Sequence, residues 1–251
     1  MKTVILAAGQ GTRLRPITDN VPKCLVDVGG KSILDRQLEQ YRKCGVAERD
    51  IVVVCGYKKD VLEERYGNTE IGLVYNSDFG DTNMVYSLMC AEDIFRTEDE
   101  LIVSYGDIFF TEEVLRKILS ASSDFNVVTD EMWLDYWRKR FDDPIKDAES
   151  LDMDSEGYLL DIGRKVDSLD LIKSQYIGLM KFKKEAIRKI CTLYHEDIVK
   201  NNPNFRKMYF TDLLQFLIAK GNKVKSVPIQ RGWFEIDSYS DLKVALEHLE
   251  V

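Results

Sequence analysis

Gly9, Gly11, Arg13, Arg15 and Lys23 crowd one short stretch of this chain, directly after the apolar run Val4-Ile5-Leu6-Ala7-Ala8, with Lys23 following Pro22. Glycines let a backbone approach a ligand closely, and the N–H groups of such a turn can face an anion. Arginine and lysine bring the positive charge that a polyphosphate needs. Two acidic positions could complete a phosphate site. Asp107 ends the run Val103-Ser104-Tyr105-Gly106-Asp107, and Asp237 closes Glu235-Ile236-Asp237 just before a helix expected to start near Ser238. Mg²⁺ binds through one or two carboxylates together with phosphate oxygens, so two acids brought together in space would suffice. Taken alone, Asp107 reads equally as a turn residue and Asp237 as an acid facing a helix N-terminus.

A glycine turn after a strand has several meanings. The dinucleotide fingerprint needs a third glycine where this chain has Leu14, and a P-loop ending in Gly30-Lys31-Ser32 needs a glycine where it has Leu25. Both readings fail. A plain strand–turn with Arg13 and Arg15 solvated stays open on glycine spacing alone.

The elements that must position these residues alternate. Thr3–Ala8, Ile51–Cys55, Ile71–Asn76 and Leu101–Tyr105 are short β-branched runs that read as strands. Ser32–Cys44, Lys58–Tyr66 and Met84–Phe95 read as helices, the first stopped by Gly45. The alternation predicts an α/β fold with a mostly parallel sheet flanked by helices, in which a loop after a strand lies at the ligand-binding edge. Further on, Ser150–Met153 and Tyr158–Ile162 around Asp154-Ser155-Glu156-Gly157 read as a β-hairpin, and Tyr176–Phe182 as a strand. Thr211 is expected to cap a helix reaching Lys220, and Leu242, Leu246 and Leu249 to mark a closing helix. No linker or repeat interrupts the chain, so one domain over 1–251 is expected, with a nucleotide-binding part (1–125) and a second part (126–251) that builds onto the same sheet.

The 251 residues carry a net charge of −8, which argues against a general nucleic-acid binder without opposing a small anionic ligand at a local cationic cluster. No window approaches the roughly 18 uninterrupted apolar residues of a membrane span. Five widely spaced cysteines without a Cys-x-x-Cys pair read as reduced thiols, and Met1-Lys2 runs straight into a strand; both suit a cytoplasmic protein.

The extended string Leu6-Ala-Ala-Gly-Gln-Gly-Thr-Arg-Leu-Arg-Pro-Ile-Thr18 with Pro22-Lys23 resembles the signature of the nucleoside triphosphate–sugar-1-phosphate nucleotidyltransferases, whose fold is Rossmann-like with a mixed, mostly parallel sheet. The resemblance implies that Leu6, Ala7, Ala8, Gly9, Gln10, Gly11 and Thr12, with Asn83 and Tyr105, bind the nucleotide. It implies that Arg13 and Lys23 hold phosphates at the reacting centre. Tyr105-Gly106-Asp107 matches the block that carries one Mg²⁺ ligand, and Trp233-Phe-Glu-Ile-Asp237-Ser238 the block that carries the second; Asp161, Asp81 and Glu235 are weaker candidates.

Tyr75-Asn76 with Thr82–Leu88, the stretch Thr129–Glu149 and Gln175–Leu179 are similar to the cytidylyltransferase branch that acts on phosphoglutamine, phosphocholine and aminoethylphosphonate. The branch implies CTP and a small anionic acceptor as partners, release of pyrophosphate, and a product used to decorate a surface polysaccharide or lipid. It leaves a homodimer open. Trp133, Trp137 and Arg140 share a helical face at spacings of four and three. They read either as the buried stripe of an amphipathic helix or as an acceptor lid. In the lid reading Trp133 and Trp137 cover a cationic head group, Arg138 or Arg140 clamps an anionic group, and Asp147 or Glu149 meets an amine. Lys165, Tyr176 and Glu235 complete the expected acceptor side, with Lys165 equally a surface lysine at a hairpin end. Two rivals stay open: a sugar-1-phosphate uridylyl- or thymidylyltransferase, and an inactive nucleotide sensor. His195 and His248 read as bystanders.

Overall fold

The apolar runs of the first hundred residues become one side of a seven-stranded mixed sheet in the structure, a computed structural model that describes residues 1–249. In chain order the strands are β1 (Lys2–Ala7), β2 (Ile51–Cys55), β3 (Gly72–Tyr75), β4 (Glu100–Tyr105), β5 (Ile108–Phe110), β6 (Phe125–Asp130), β7 (Leu151–Met153), β8 (Leu159–Ile162), β9 (Gln175–Lys183), β10 (Val224–Ile229) and β11 (Trp233–Glu235). The large sheet runs β10-β6-β9-β4-β1-β2-β3, and β9 alone is antiparallel to its neighbours β4 and β6. The two parts of the chain therefore share one sheet, with β10-β6-β9 on one side and β4-β1-β2-β3 on the other. β2 is buried at every position, as a parallel strand covered on both faces must be.

The helices are α1 (Ile33–Lys43), α2 (Lys59–Tyr66), α3 (Met84–Met89), α4 (Glu92–Phe95), α5 (Glu112–Ser120), α6 (Trp133–Arg140), α7 (Lys184–Leu193), α8 (Val199–Asn201), α9 (Phe210–Ala219) and α10 (Tyr239–His248). A π-helical turn, Tyr194–Ile198, joins α7 to α8. Two buried clusters, one on each face of the sheet, carry most of the core, and a third packs Leu14, Val26, Val28 and Ile33 against Ile236 and Ala245. That third cluster fastens the glycine loop to the closing helix.

Several local expectations change. The helix expected over Met84–Phe95 breaks at Ala91, whose backbone (φ −100°, ψ 9°) leaves the helical region. α9 starts at Phe210, so Thr211 lies inside its first turn; the Asp212 carboxylate accepts the Tyr209 N–H at 2.8 Å and closes the end instead. In α10 Leu246 is exposed, and Asp241, Val244 and Ala245 are buried. The expected hairpin forms as β7–β8, a two-stranded sheet of its own.

α1 shows how a cap doubles as a tertiary tie. Asp35 accepts from the Ser32 hydroxyl at 2.7 Å and from the Tyr66 hydroxyl at 2.8 Å, and Arg65 pairs with it. Burial would raise this carboxyl, but those hydrogen bonds and the Arg65 charge hold it below the usual carboxylate range. A carboxyl depressed in the folded state stabilises above its unfolded value, and that stability is lost as pH falls through the folded value. Asp35→Asn is therefore expected to lower the urea midpoint at neutral pH, and the two proteins should converge in strongly acidic buffer. A deficit that does not change with pH would contradict the electrostatic account.

Candidate active site

The site is built at the C-terminal ends of β1 and β4. Where β1 stops, the chain turns through Gly11 in the left-handed region (φ 61°), and a Cβ there would come within 2.9 Å of the Lys23 Cβ. The Thr18 hydroxyl donates to the Gly11 carbonyl at 2.8 Å and folds the loop back on itself. Cys24 and Leu25 are buried beneath the short turn that follows Pro22, which leaves Lys23 facing the cleft. At the end of β4, Gly106 crosses so close to β1 that a Cβ would lie 2.7 Å from the Leu6 carbonyl. Its N–H instead donates to that oxygen at 2.9 Å. This crossing brings Asp107 beside Lys23.

Asp237 arrives by a longer route. β11 pairs antiparallel with β5, Glu235 opposite Ile108, and the Ile236 N–H donates to the Asp107 carbonyl at 2.9 Å. The Asp241 carboxylate then accepts the Asp237 N–H at 3.0 Å and the Ser238 N–H at 2.8 Å, fixing the residue at the head of α10. Buried Gln37 on α1 anchors the turn from the other side. It donates to the Tyr105 carbonyl at 2.8 Å and the Ile108 carbonyl at 2.6 Å, and accepts from Ser104.

The result is a charge cluster. Lys23 Nζ lies 2.7 Å from Asp107 Oδ2 and also contacts Asp237 Oδ1, while Arg13 reaches Asp237 Oδ2 at 2.7 Å. Burial alone would depress the Lys23 ammonium, but Asp107 and Asp237 outweigh it and hold it above its ordinary value. Burial likewise opposes ionisation of Asp237, and the Lys23 and Arg13 charges prevail, so its carboxyl sits low. Glu235 goes the other way: burial, reinforced by Asp237 and Asp107 and only partly offset by Arg140, pushes it up to about 7.

A cleft of about 460 Å³ opens over this cluster. Leu6, Ala7, Ala8, Gly9, Gly11, Thr12, Arg13, Lys23, Asn83, Tyr105, Asp107, Trp137, Asp147, Glu149, Tyr176, Glu235 and Asp237 all line it, which gathers most of the residues singled out from the sequence. Others are placed elsewhere. Gln10 does not line the cleft, and Arg15 turns away to Asp19. Trp133 is packed edge-on against Trp137 in the core. Arg138 is exposed beside Asp135 at 3.7 Å, and Lys165 reaches the Lys146 and Asp147 carbonyls. Asp161 pairs with Arg164, and Asp81 is exposed near Lys207. Arg140 is the largest correction. Its side chain is 1% exposed and bound to Asp241 and Glu235 at 2.7 Å each, so it braces the wall from behind and does not face an acceptor. Trp137 is buried, its indole N–H donates to Asp147 at 3.0 Å, and it borders the cleft.

Residues the sequence reading passed over also line the cleft, among them Phe79, Thr82, Ser87, Tyr209, Thr211 and Trp233. Thr82 and Ser87 had a signal in the block around Asn83, and Trp233 in the block that ends at Asp237. Tyr209 immediately precedes α9 and Thr211 lies in its first turn, where no local pattern marks a ligand.

The donor set at Asp107 and Asp237 suits a hard divalent cation. Both side chains are carboxylates, and Asp107 Oδ1 is buried without a hydrogen-bond partner. Among the described residues no group of three His, Cys, Asp or Glu comes together as a metal cage. Among the same residues no helix is long and apolar enough to cross a membrane.

The chain is similar to known proteins. Residues 3–145 match the MobA-like NTP transferase domain. The chain is 39% identical to the CTP:phosphoglutamine cytidylyltransferase of Campylobacter jejuni, over 98% of this chain and 100% of that one. It is 31% identical to the choline-phosphate cytidylyltransferase of Streptococcus pneumoniae, over 100% and 99%. The solved structure of CTP:phosphocholine cytidylyltransferase from Streptococcus pneumoniae aligns with a TM-score of 0.74 at 27% identity, covering 99% of both chains. The inositol-1-phosphate CTP transferase from T. maritima aligns at 0.72 and 19% identity, covering 100% and 97%, a likeness of fold.

Proposed function

Because the chain belongs to the NTP transferase family, we propose that it is a cytidylyltransferase moving CMP from CTP to a small phosphorylated or phosphonate acceptor. One observation carries the reading. The cationic loop and paired carboxylates of a nucleotide site share a cleft with an aromatic and acidic wall, Trp137, Tyr176, Asp147 and Glu149. That wall complements a head group bearing an amine or quaternary ammonium, as in phosphoglutamine, aminoethylphosphonate or phosphocholine. The substrates named for the two full-length relatives have this chemistry.

The acceptor oxygen attacks the α-phosphorus of CTP, one P–O bond forms, and the bond to pyrophosphate breaks. The incoming oxygen is already ionised, so no protein nucleophile is needed. Repulsion between anions is the barrier that the residues address. Arg13 and Lys23 hold triphosphate oxygens, and the turn from Gly9 to Thr12 offers its backbone to the nucleotide. Asp107 and Asp237 would hold Mg²⁺, which when bound supplies further neutralisation of the phosphates. Tyr105 and Asn83 border the nucleotide end, with Trp137, Asp147, Glu149 and Tyr176 at the acceptor end. In this reading 1–251 is one catalytic unit, acting in the cytoplasm as a monomer or homodimer and supplying an activated CDP- or CMP-linked group for surface polysaccharide or lipid.

Pyrophosphate release with each of CTP, UTP and dTTP, Mg²⁺ and a panel of phosphoglutamine, phosphocholine, aminoethylphosphonate and glucose-1-phosphate tests this. The expected result is turnover with CTP and an amine-bearing acceptor, at least about a hundredfold above the sugar phosphate, since a mismatched acceptor leaves buried polar groups unpaired. Turnover of glucose-1-phosphate with UTP or dTTP and none with CTP would replace the proposal by a sugar nucleotidyltransferase.

A further inference from the structure

Asp107 and Asp237 share Lys23 as a common counter-ion. The Lys23 ammonium touches both carboxylates, and Arg13 occupies the second oxygen of Asp237. Two negative charges thus meet two positive ones and the cluster balances itself. Asp107 Oδ1 is the carboxylate oxygen left buried and unpartnered. A divalent cation arriving alone would have to displace Lys23 from both acids. Its side chain is only 15% exposed, and its ammonium would then face the metal across the cleft with its partners taken. A triphosphate changes the balance. It brings anionic oxygens for Lys23 and Arg13, and so frees the carboxylates as the metal enters.

We infer that Lys23 is a built-in counter-cation that keeps the Asp107–Asp237 pair closed to free divalent metal until a nucleoside triphosphate draws its ammonium away. The inference rests on the reading of that pair as the metal ligands and adds to it an order: metal enters with the nucleotide or after it. Lys23 then has a role before any chemistry, distinct from holding phosphate.

Mn²⁺ binding to the nucleotide-free protein, followed by the paramagnetic resonance of free Mn²⁺, tests this without turnover. Lys23→Met keeps the length of the stem and removes the charge. It is expected to bind Mn²⁺ at least about tenfold more tightly than the unaltered chain, because the two carboxylates lose their competing cation. Adding Asp107→Asn to that variant should abolish the gain. Equal Mn²⁺ affinity in the Lys23→Met variant and the unaltered chain, with matching circular dichroism and melting, would overturn the inference, as would a gain that survives Asp107→Asn. The underlying metal reading is measured separately by Asp107→Asn alone with CTP present. Unreduced Mn²⁺ in that complex would sink the metal reading, whereas reduced Mn²⁺ there alongside an unchanged Lys23→Met would sink the lysine inference only.

Discussion

Asp107→Asn is expected to lower turnover with CTP by about three orders of magnitude while leaving the fold intact. Asparagine matches aspartate in shape, so the Gly106 crossing and the Ile236 N–H bond to the residue 107 carbonyl persist. The losses are specific. Lys23 gives up its 2.7 Å carboxylate partner, and the buried Oδ1 position loses its negative charge. A neutral amide is a poor ligand for a hard dication, so the deficit belongs in kcat more than in the KM for CTP, which the loop and Arg13 continue to hold. Steady-state pyrophosphate release and a melting curve on the same preparation separate the two effects. Turnover within tenfold of the unaltered enzyme would remove Asp107 from the metal site.

The second large effect concerns stability. Arg140→Met is expected to cost about 3–5 kcal/mol, because removing one member of a buried ion network leaves its partners desolvated and unpaired. Asp241 is the exposed nerve: its carboxylate is 1% exposed, one oxygen bound to Arg140 and the other to the backbone that sets Asp237. Methionine keeps the apolar stem against Tyr136 and Trp137, over whose rings the guanidinium sits at 5.1 Å, so the lost charge dominates over lost packing. Urea unfolding at neutral pH gives the cost. Arg140→Met with Asp241→Leu should recover part of it by removing the orphaned acid, although the cap on α10 is lost with it. A single-variant cost below about 1 kcal/mol would show that water reaches this network and screens it.

The two predictions divide along the line between what was legible in the sequence and what was not. The turn from Gly9 to Arg13 could be read because its information is local: a buried strand, glycines and cations within a dozen residues determine where the backbone turns and which charges it carries. The sheet core was legible for the same reason, since β1, β2 and β4 announce themselves as apolar runs. Asp107 could be placed at a strand end from spacing alone, whereas its neighbour could not. Its meeting with Asp237 depends on β5 pairing with β11, two strands of three residues each that carry no periodic signal.

The stripe of Trp133, Trp137 and Arg140 shows the limit most sharply. Helical spacing placed all three on one face, which the structure keeps. It left undecided whether that face looks onto a ligand or into the protein. The answer came from Asp241, 101 residues further along the chain, which draws Arg140 inward and leaves only Trp137 of the three at the cleft. Burying a guanidinium is unfavourable until its partners are present, and their presence is a property of the assembled sheet and closing helix, not of any local window. The sequence by itself thus determined the strands, the glycine turn after β1 and the kinds of charge available. The tertiary structure decided which of those charges meet, because an ion pair is set by three-dimensional register between segments that no local pattern connects.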